Sequence, residues 1–437
     1  MGVIQMASAV AHNNQNELDF IHPPRALAAL IEKIVKRGSL SFFDSRTGQK
    51  MRFGDGIGPE VEIGVTAAGA ARIAANSDLA LGEAYMDGSL TILAGDVRSL
   101  FDVIFLNQEA VAFSRTTAGA LKLRLMRAMQ QANNRVASRR NVAHHYDLSA
   151  ELYRLFLDDD LQYSCAYFAA PGCSLEEAQL AKKQHLIGKL LLEDGQSVLD
   201  IGCGWGGMAL EIARSADVDV QGITLSEEQL AIATQRGAAT KASFSLTDYR
   251  DATGTFDRII SVGMFEHVGV PNYDAFFQKI ASLLADDGVA VIHSIGRKDG
   301  PDITNAWIAK YIFPGGYIPA LSEVLPAIER AGLWITDVEI LRLHYAETLR
   351  HWFERFMEHR EEIAALYDER FCRMWEFYLA TSESAFRSQG HMNFQIQLAK
   401  RVDTVPLTRD YISDHDRKAI HLETDRSLAN GRHLSLV

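Results

Sequence analysis

Cysteine is scarce in this 437-residue chain: only Cys165, Cys173, Cys203 and Cys372, with no Cys-x-x-Cys pair and no framework spacing. That argues against a disulfide scaffold and a cysteine zinc site, and no metal is expected; a reducing, cytoplasmic setting fits best. Long hydrophobic runs are missing too. No stretch reaches the roughly 18 apolar residues of a membrane span, and MGVIQMASAVAHNNQNELDF lacks the basic start and sustained apolar region of a secretory signal. Any membrane contact is therefore expected to be peripheral. Positive charge is in deficit, 44 Lys+Arg against 56 Asp+Glu for a net −12, which argues against a nucleic-acid partner. Acidic residues are in turn absent from one place. From Ala110 to Tyr146 there is no Asp or Glu, while Arg115, Lys122, Arg124, Arg127, Arg135, Arg139 and Arg140 contribute +7.

What remains is ordinary soluble material, 47% hydrophobic and 23% charged, enough for a small domain and a larger one. Residues 1–113 read as a mixed α/β module, with a helix over Ala26–Val35 and a strand around Val61, Ile63 and Val65. Residues 114–140 read as a basic helical linker. On a helical wheel Leu121, Ala132, Leu125, Met129 and Met126 share one arc, and Arg127, Arg124 and Arg135 another. Such a helix suits an anionic membrane surface, or packs on the acidic remainder of its own chain.

Residues 141–402 alternate strands and helices. SVLDI, VDVQGI, the segment near Phe244, DRIISV and VAVIHSI predict a doubly wound, Rossmann-like α/β fold, with further strands at WITDVEI and NFQIQLA. Residues 403–437 form a tail with no assigned chemistry.

The first of those strands runs into Gly202-x-Gly204-x-x-Gly207, where the backbone turns tightly beside a ligand. A nicotinamide dinucleotide is disfavoured, because the second strand ends at Ile223-Thr224 without the ribose-binding carboxylate. Asp200, two residues before the first glycine, suits a cationic amino group instead. VLDIGCGWG resembles motif I of S-adenosylmethionine-dependent methyltransferases. Thr224 and Gln229 are uncharged candidates for ribose, although Ser226 and Gln229 also fit a capping box. Asp248 and Tyr249 fall where adenine is usually held, with Tyr249 able to stack on it. Strand ends also carry Glu266, His293 and Tyr345, a polar set suited to holding a small ion or taking up a proton.

In order and spacing, NVAHHYDLSAELYRLFLDDDLQYSCAYF, VLDIGCGWGGMAL, GITLSEEQ, DYRD, ISVGMFEHVG, HSIG and FPGGYIP resemble the cyclopropane-fatty-acyl-phospholipid synthase family, which includes the mycolic-acid cyclopropane synthases. The resemblance implies transfer of the S-adenosylmethionine methyl to a cis double bond of a phospholipid acyl chain, then proton removal by a bound bicarbonate ion. It places the bicarbonate on Cys165, Glu266, His293, the Ile295 backbone and Tyr345. The cofactor would fall on Tyr163, Ser164, Asp200, Gly202, Gly204, Thr224, Gln229, Asp248 and Tyr249. It also implies a lipid- or membrane-associated role for residues 1–113, peripheral attachment to the inner membrane face, and a homodimer. Trp307, Tyr311, Phe313, Tyr317, Trp352, Phe353 and Phe356 would line an acyl pocket or pack the core. Ser382 stands where many members have a cysteine, so a thiol there is not required if the match holds. A branching acyl methyltransferase and a small-molecule methyltransferase are the alternatives.

Overall fold

The computed structural model describes residues 19–107 and 148–429, the last of these with side chains to 419. The basic linker at 114–140, including Arg124 and Arg127, lies outside the described residues. Two compact units emerge.

In the first unit, residues 19–107 combine with Tyr367–Phe377. Four strands, β1 (Ser39–Phe43), β2 (Lys50–Phe53), β3 (Glu60–Val65) and β4 (Leu90–Ala94), order as β2-β1-β3-β4. Helices α1 (Arg25–Ile34), α2 (Ala67–Ala75), α3 (Ser77–Met86) and α4 (Val97–Leu106) belong to the same unit. β3 alternates as expected, burying Val61, Ile63 and Val65. The Tyr85 hydroxyl donates to Glu376 Oε2 at 2.6 Å, and Phe101 meets Phe377 edge-on at 4.9 Å. A short stretch remote in sequence thus completes this unit, beyond the expected boundary at residue 113.

The second unit holds a seven-stranded sheet. Its strands are β5 (Ser197–Ile201), β6 (Asp219–Thr224), β7 (Ala242–Leu246), β8 (Phe256–Val262), β9 (Leu284–Arg297), β10 (Trp334–Leu341) and β11 (His391–Ala399), in the order β10-β11-β9-β8-β5-β6-β7. All run parallel except β11, which is antiparallel to both neighbours. The helices are α5 (Ala150–Phe156), α6 (Leu175–Leu190), α7 (Gly207–Ser215), α8 (Glu227–Gly237), α9 (Tyr273–Leu283), α10 (Ala306–Tyr311), α11 (Leu321–Arg330), α12 (His344–Glu358), α13 (Arg360–Leu366), α14 (Glu369–Ser388) and α15 (Asp410–Ala429). The stretch of α14 up to Phe377 belongs to the first unit.

Alternation in β5 sorts the core. Leu199 and Ile201 face Ile259, Ile292, Phe276 and Phe394, whereas Val198 faces Ile187, Met208, Ile260 and Val291. Both faces are covered, which is why the central strands read as near-continuous apolar runs. The residues beyond 402 do more than trail. α15 packs on α6, with Asp416 Oδ2 2.9 Å from His185 Nδ1, and Ile412 is buried.

Candidate functional site

The turn after β5 opens a cleft of about 150 Å³. Gly202 there has φ +82°, and a Cβ on it would lie 2.8 Å from Met264 Cβ, so no other residue fits without displacing the neighbouring turn. The walls come from strand ends: Thr224 and Leu225 after β6, Thr247–Arg250 after β7, and Val262–Met264 after β8, with Leu161–Ser164 approaching from the segment ahead of α6. All nine residues expected to contact the cofactor line this one cleft.

Asp200 is 1% exposed and its Oδ2 has no hydrogen-bond partner. Burial pushes its carboxyl up to about 7, against the lowering effect of Lys182 and the Ala209 N–H. An orphaned buried carboxylate facing a cleft fits a cationic group on a ligand. Thr224 Oγ donates to Gln229 Oε1 at 3.0 Å, while Ser226 Oγ caps α8 by accepting from the Gln229 N–H at 3.3 Å. The expected capping box is therefore only half formed, because Thr224 has engaged the Gln229 side chain. Asp248 is buried and held by Arg250 through Nε at 2.8 Å and Nη2 at 2.5 Å; the same guanidinium lies 5.5 Å from the Tyr249 ring. The Tyr163 hydroxyl is 2.9 Å from that of Tyr378, and its ring stacks on Trp352 at 5.1 Å.

None of the five residues expected around the ion lines this cleft, although two of them are chain neighbours of residues that do. Cys165 follows Ser164, and Glu266 precedes His267, another lining residue. Glu266 Oε1 accepts from the Ile295 N–H at 2.6 Å, which joins the turn after β8 to β9. The Ile295 N–H thus bonds Glu266 in this structure. Glu266 Oε2 is buried and makes no hydrogen bond of good geometry, and burial pushes the carboxyl up to about 7 against the pull of the Ile295 N–H and the nearby Ser294 side chain. The Gln395 amide, 3.2 Å from His293 Nδ1, donates to it, so the ring proton sits on Nε2, itself buried and unpartnered. Burial holds His293 neutral, well below the usual histidine range. Burial likewise holds the Cys165 thiol protonated, well above the usual cysteine range, and Sγ donates to the Ala166 carbonyl at 3.3 Å. The next amide, Ala166 N–H, donates to Thr348 on α12, the helix whose first turn bears Tyr345. The Tyr345 ring packs on Phe386 at 4.8 Å and edge-on to Trp352 at 5.8 Å.

The aromatic candidates divide. Trp307, Tyr317, Trp352, Phe353 and Phe356 are buried, whereas Tyr311 and Phe313 are half-buried, Phe313 5.7 Å from Tyr378 and 6.5 Å from His267.

Residues 133–396 match the mycolic acid cyclopropane synthetase family. The chain belongs to that family. It is 41% identical over 259 residues to the cyclopropane-fatty-acyl-phospholipid synthase of Escherichia coli K12, covering 59% of this chain and 67% of the relative. It is 37% identical over 345 residues to the tuberculostearic acid methyltransferase UfaA1 of Mycobacterium tuberculosis, covering 73% and 78%. The crystal structure of the mycolic acid cyclopropane synthase CmaA1 complexed with SAH and CTAB superposes with a TM-score of 0.57 at 34% identity, covering 60% of this chain and 97% of that one. The larger unit is a class I methyltransferase fold, and the protein is an S-adenosylmethionine-dependent methyltransferase.

Sequence reasoning missed the supports of this site: Gln162, Gln179, Lys182 and Gln395. Gln179 and Lys182 sit on the buried face of α6, where the signal was a polar interruption in a core pattern; Gln162 lies in an irregular segment, and Gln395 falls on the polar phase of the alternation Asn393, Gln395, Gln397, so neither had a local signal.

Proposed function

We propose that this enzyme acts on the cis double bond of unsaturated acyl chains in membrane phospholipids and closes a cyclopropane ring after a bound bicarbonate takes up the proton. The observation that carries the base site is the pair of buried atoms that make no hydrogen bond of good geometry, Glu266 Oε2 and His293 Nε2, beside the cofactor cleft. Two such atoms on adjoining segments suit a small oxyanion.

S-adenosylmethionine supplies an electrophilic methyl group on a sulfonium. In this reading Asp200 receives the cofactor's ammonium, the Gly202–Gly204 turn lets its backbone approach, Thr224 and Gln229 bind ribose, and Asp248 and Tyr249 flank adenine. Tyr163 and Ser164 close the near side. At the ion site the His293 Nε2–H and the protonated form of Glu266 are hydrogen-bond donors, and the Cys165 thiol stays neutral, a ligand rather than a nucleophile. Tyr345 completes the set. Methylating an alkene leaves a carbocation that water would capture, so the dry shell of Tyr163, Trp352, Tyr345 and Phe386 protects it.

The phospholipid substrate is supported by the name of the Escherichia coli relative and by the +7 segment Ala110–Tyr146, whose charges suit an anionic membrane surface. No described helix is long and apolar enough to cross a membrane, so this contact is peripheral in the proposal, on the cytoplasmic face. A homodimer would set two such segments on one membrane. Incubation with S-adenosylmethionine and vesicles of cis-monounsaturated phospholipid should add one methylene to the acyl chains. Turnover should fall in carbon-dioxide-free buffer and recover with bicarbonate. An unchanged acyl profile overturns the substrate reading, and bicarbonate-independent turnover overturns the base.

A further inference from the structure

Helix α6 carries a lysine where its pattern requires an apolar residue. Leu175, Gln179, Lys182, Leu186 and Leu190 follow one another at three- and four-residue steps, and all are fully buried. A charge without access to water is retained only where its surroundings compensate it. The Lys182 ammonium donates to Gln162 Oε1 at 2.6 Å and to Ser164 Oγ at 2.8 Å, both neutral acceptors. Gln179, one turn earlier, donates through Nε2 to the carbonyls of Gln162 at 3.2 Å and Ser164 at 2.9 Å. The segment they hold contains Leu161, a non-glycine residue at φ +58°, a conformation that persists only when neighbours impose it. Gln162 and Ser164 line the cofactor cleft, and Cys165 is the next residue.

The titratable groups facing Lys182 come from every element around it. The charged ones are Asp158 and Asp160 on the clamped segment, Lys183 on its own helix and Asp200 on β5 when ionised, and the neutral ones are Cys165 on the clamped segment and His293 on β9. The ion site itself, with its carboxyl, thiol, neutral imidazole and phenol, has no cation of its own. We propose that Lys182 is a positioning residue whose ammonium fixes Gln162 and Ser164 in the cleft wall and supplies the positive charge that an oxyanion at Glu266 and His293 requires. The second half rests on the oxyanion reading given above.

A fixed positive charge has a signature that a mere structural strut lacks. It favours an anion, and it disfavours the cationic sulfonium of S-adenosylmethionine relative to the neutral thioether of S-adenosylhomocysteine. In Lys182→Met, calorimetry should show the affinity ratio of S-adenosylmethionine to S-adenosylhomocysteine rising about three- to tenfold, with the bicarbonate half-saturating concentration rising about tenfold. Ser164→Ala removes one bond and keeps the charge; it should weaken both nucleosides equally and leave the bicarbonate requirement as in the wild type. Lys182→Arg should keep the wild-type ratio. Equal weakening of both nucleosides in Lys182→Met with an unchanged bicarbonate requirement would overturn the proposal. If Lys182→Met does not fold, a changed nucleoside ratio in Ser164→Ala overturns it. Wild-type turnover that ignores bicarbonate would sink the oxyanion reading alone, and the nucleoside ratio would still decide on the charge.

Discussion

In the proposed reading Asp200 sets a functional requirement against stability, and Asp200→Asn should separate the two. Its carboxyl ionises near 7 in the folded protein against 3.8 in the unfolded chain. A raised carboxyl contributes stability below the unfolded value that is lost as the pH rises through the folded one. Between pH 5 and 7 the folded protein keeps a proton that the unfolded chain has released, and each pH unit removes about 1.4 kcal/mol. The wild type should therefore lose about 3 kcal/mol relative to Asp200→Asn between pH 5 and pH 8. Glu266 and the other titrating groups are common to both proteins and largely cancel. Urea unfolding at the two pH values, followed by tryptophan fluorescence, measures this; Trp205, Trp307, Trp334 and Trp352 report on the larger unit. In the proposed reading the same substitution removes the partner of the cofactor's ammonium, and S-adenosylmethionine should bind at least about tenfold more weakly at pH 8, as expected for a lost charged hydrogen bond. A pH-independent stability difference, or unaltered cofactor affinity, would refute the reasoning.

Three further outcomes follow from named contacts. Glu266→Gln should lower kcat about 100-fold or more while S-adenosylmethionine affinity stays within about threefold, read by product formation and calorimetry; unaltered turnover would mean the base lies elsewhere. His185 is bonded to Asp416 and Glu339, and although burial opposes it, these bonds raise its pKa above 6.5. The clamp on α15 is thus complete below pH 6.5 and lost as pH rises through the folded value, so hydrogen exchange across residues 411–419 should quicken at high pH, and less so in Asp416→Asn. Reversing Arg124 and Arg127 to Glu should weaken binding to anionic vesicles several-fold and leave cofactor affinity unchanged, measured by co-sedimentation.

The sheet was legible because its central strands are buried on both faces and punctuated by glycine turns: all seven strands of the larger unit lie within a few residues of their expected positions. The cleft at the strand ends was legible for a related reason, since strand ends fix where a ligand sits in an open α/β sheet, and the residues expected there line it. The smaller unit was less so. β1 and β2 have short, mixed patterns, and no local signal shows that Tyr367–Phe377 completes a unit formed more than 250 residues earlier. The role of α15 was also hidden: His185 and Asp416 are far apart in sequence, and only folding makes them partners. Lys182 escaped for a different reason. A lysine among lysines reads as a solvated charge until its place in the helical period is counted, and Lys183, the next residue, does reach carboxylates.

The central claim is that a one-carbon unit bridges an acyl double bond with loss of a single proton to a base. Trideuteromethyl S-adenosylmethionine tests it most directly, with the acyl chains of unsaturated phospholipid vesicles recovered for mass and magnetic resonance spectra. The account predicts a ring methylene carrying two of the three deuterons and no remaining double bond. A methyl branch retaining all three, an exocyclic alkene, or unlabelled acyl chains would contradict it.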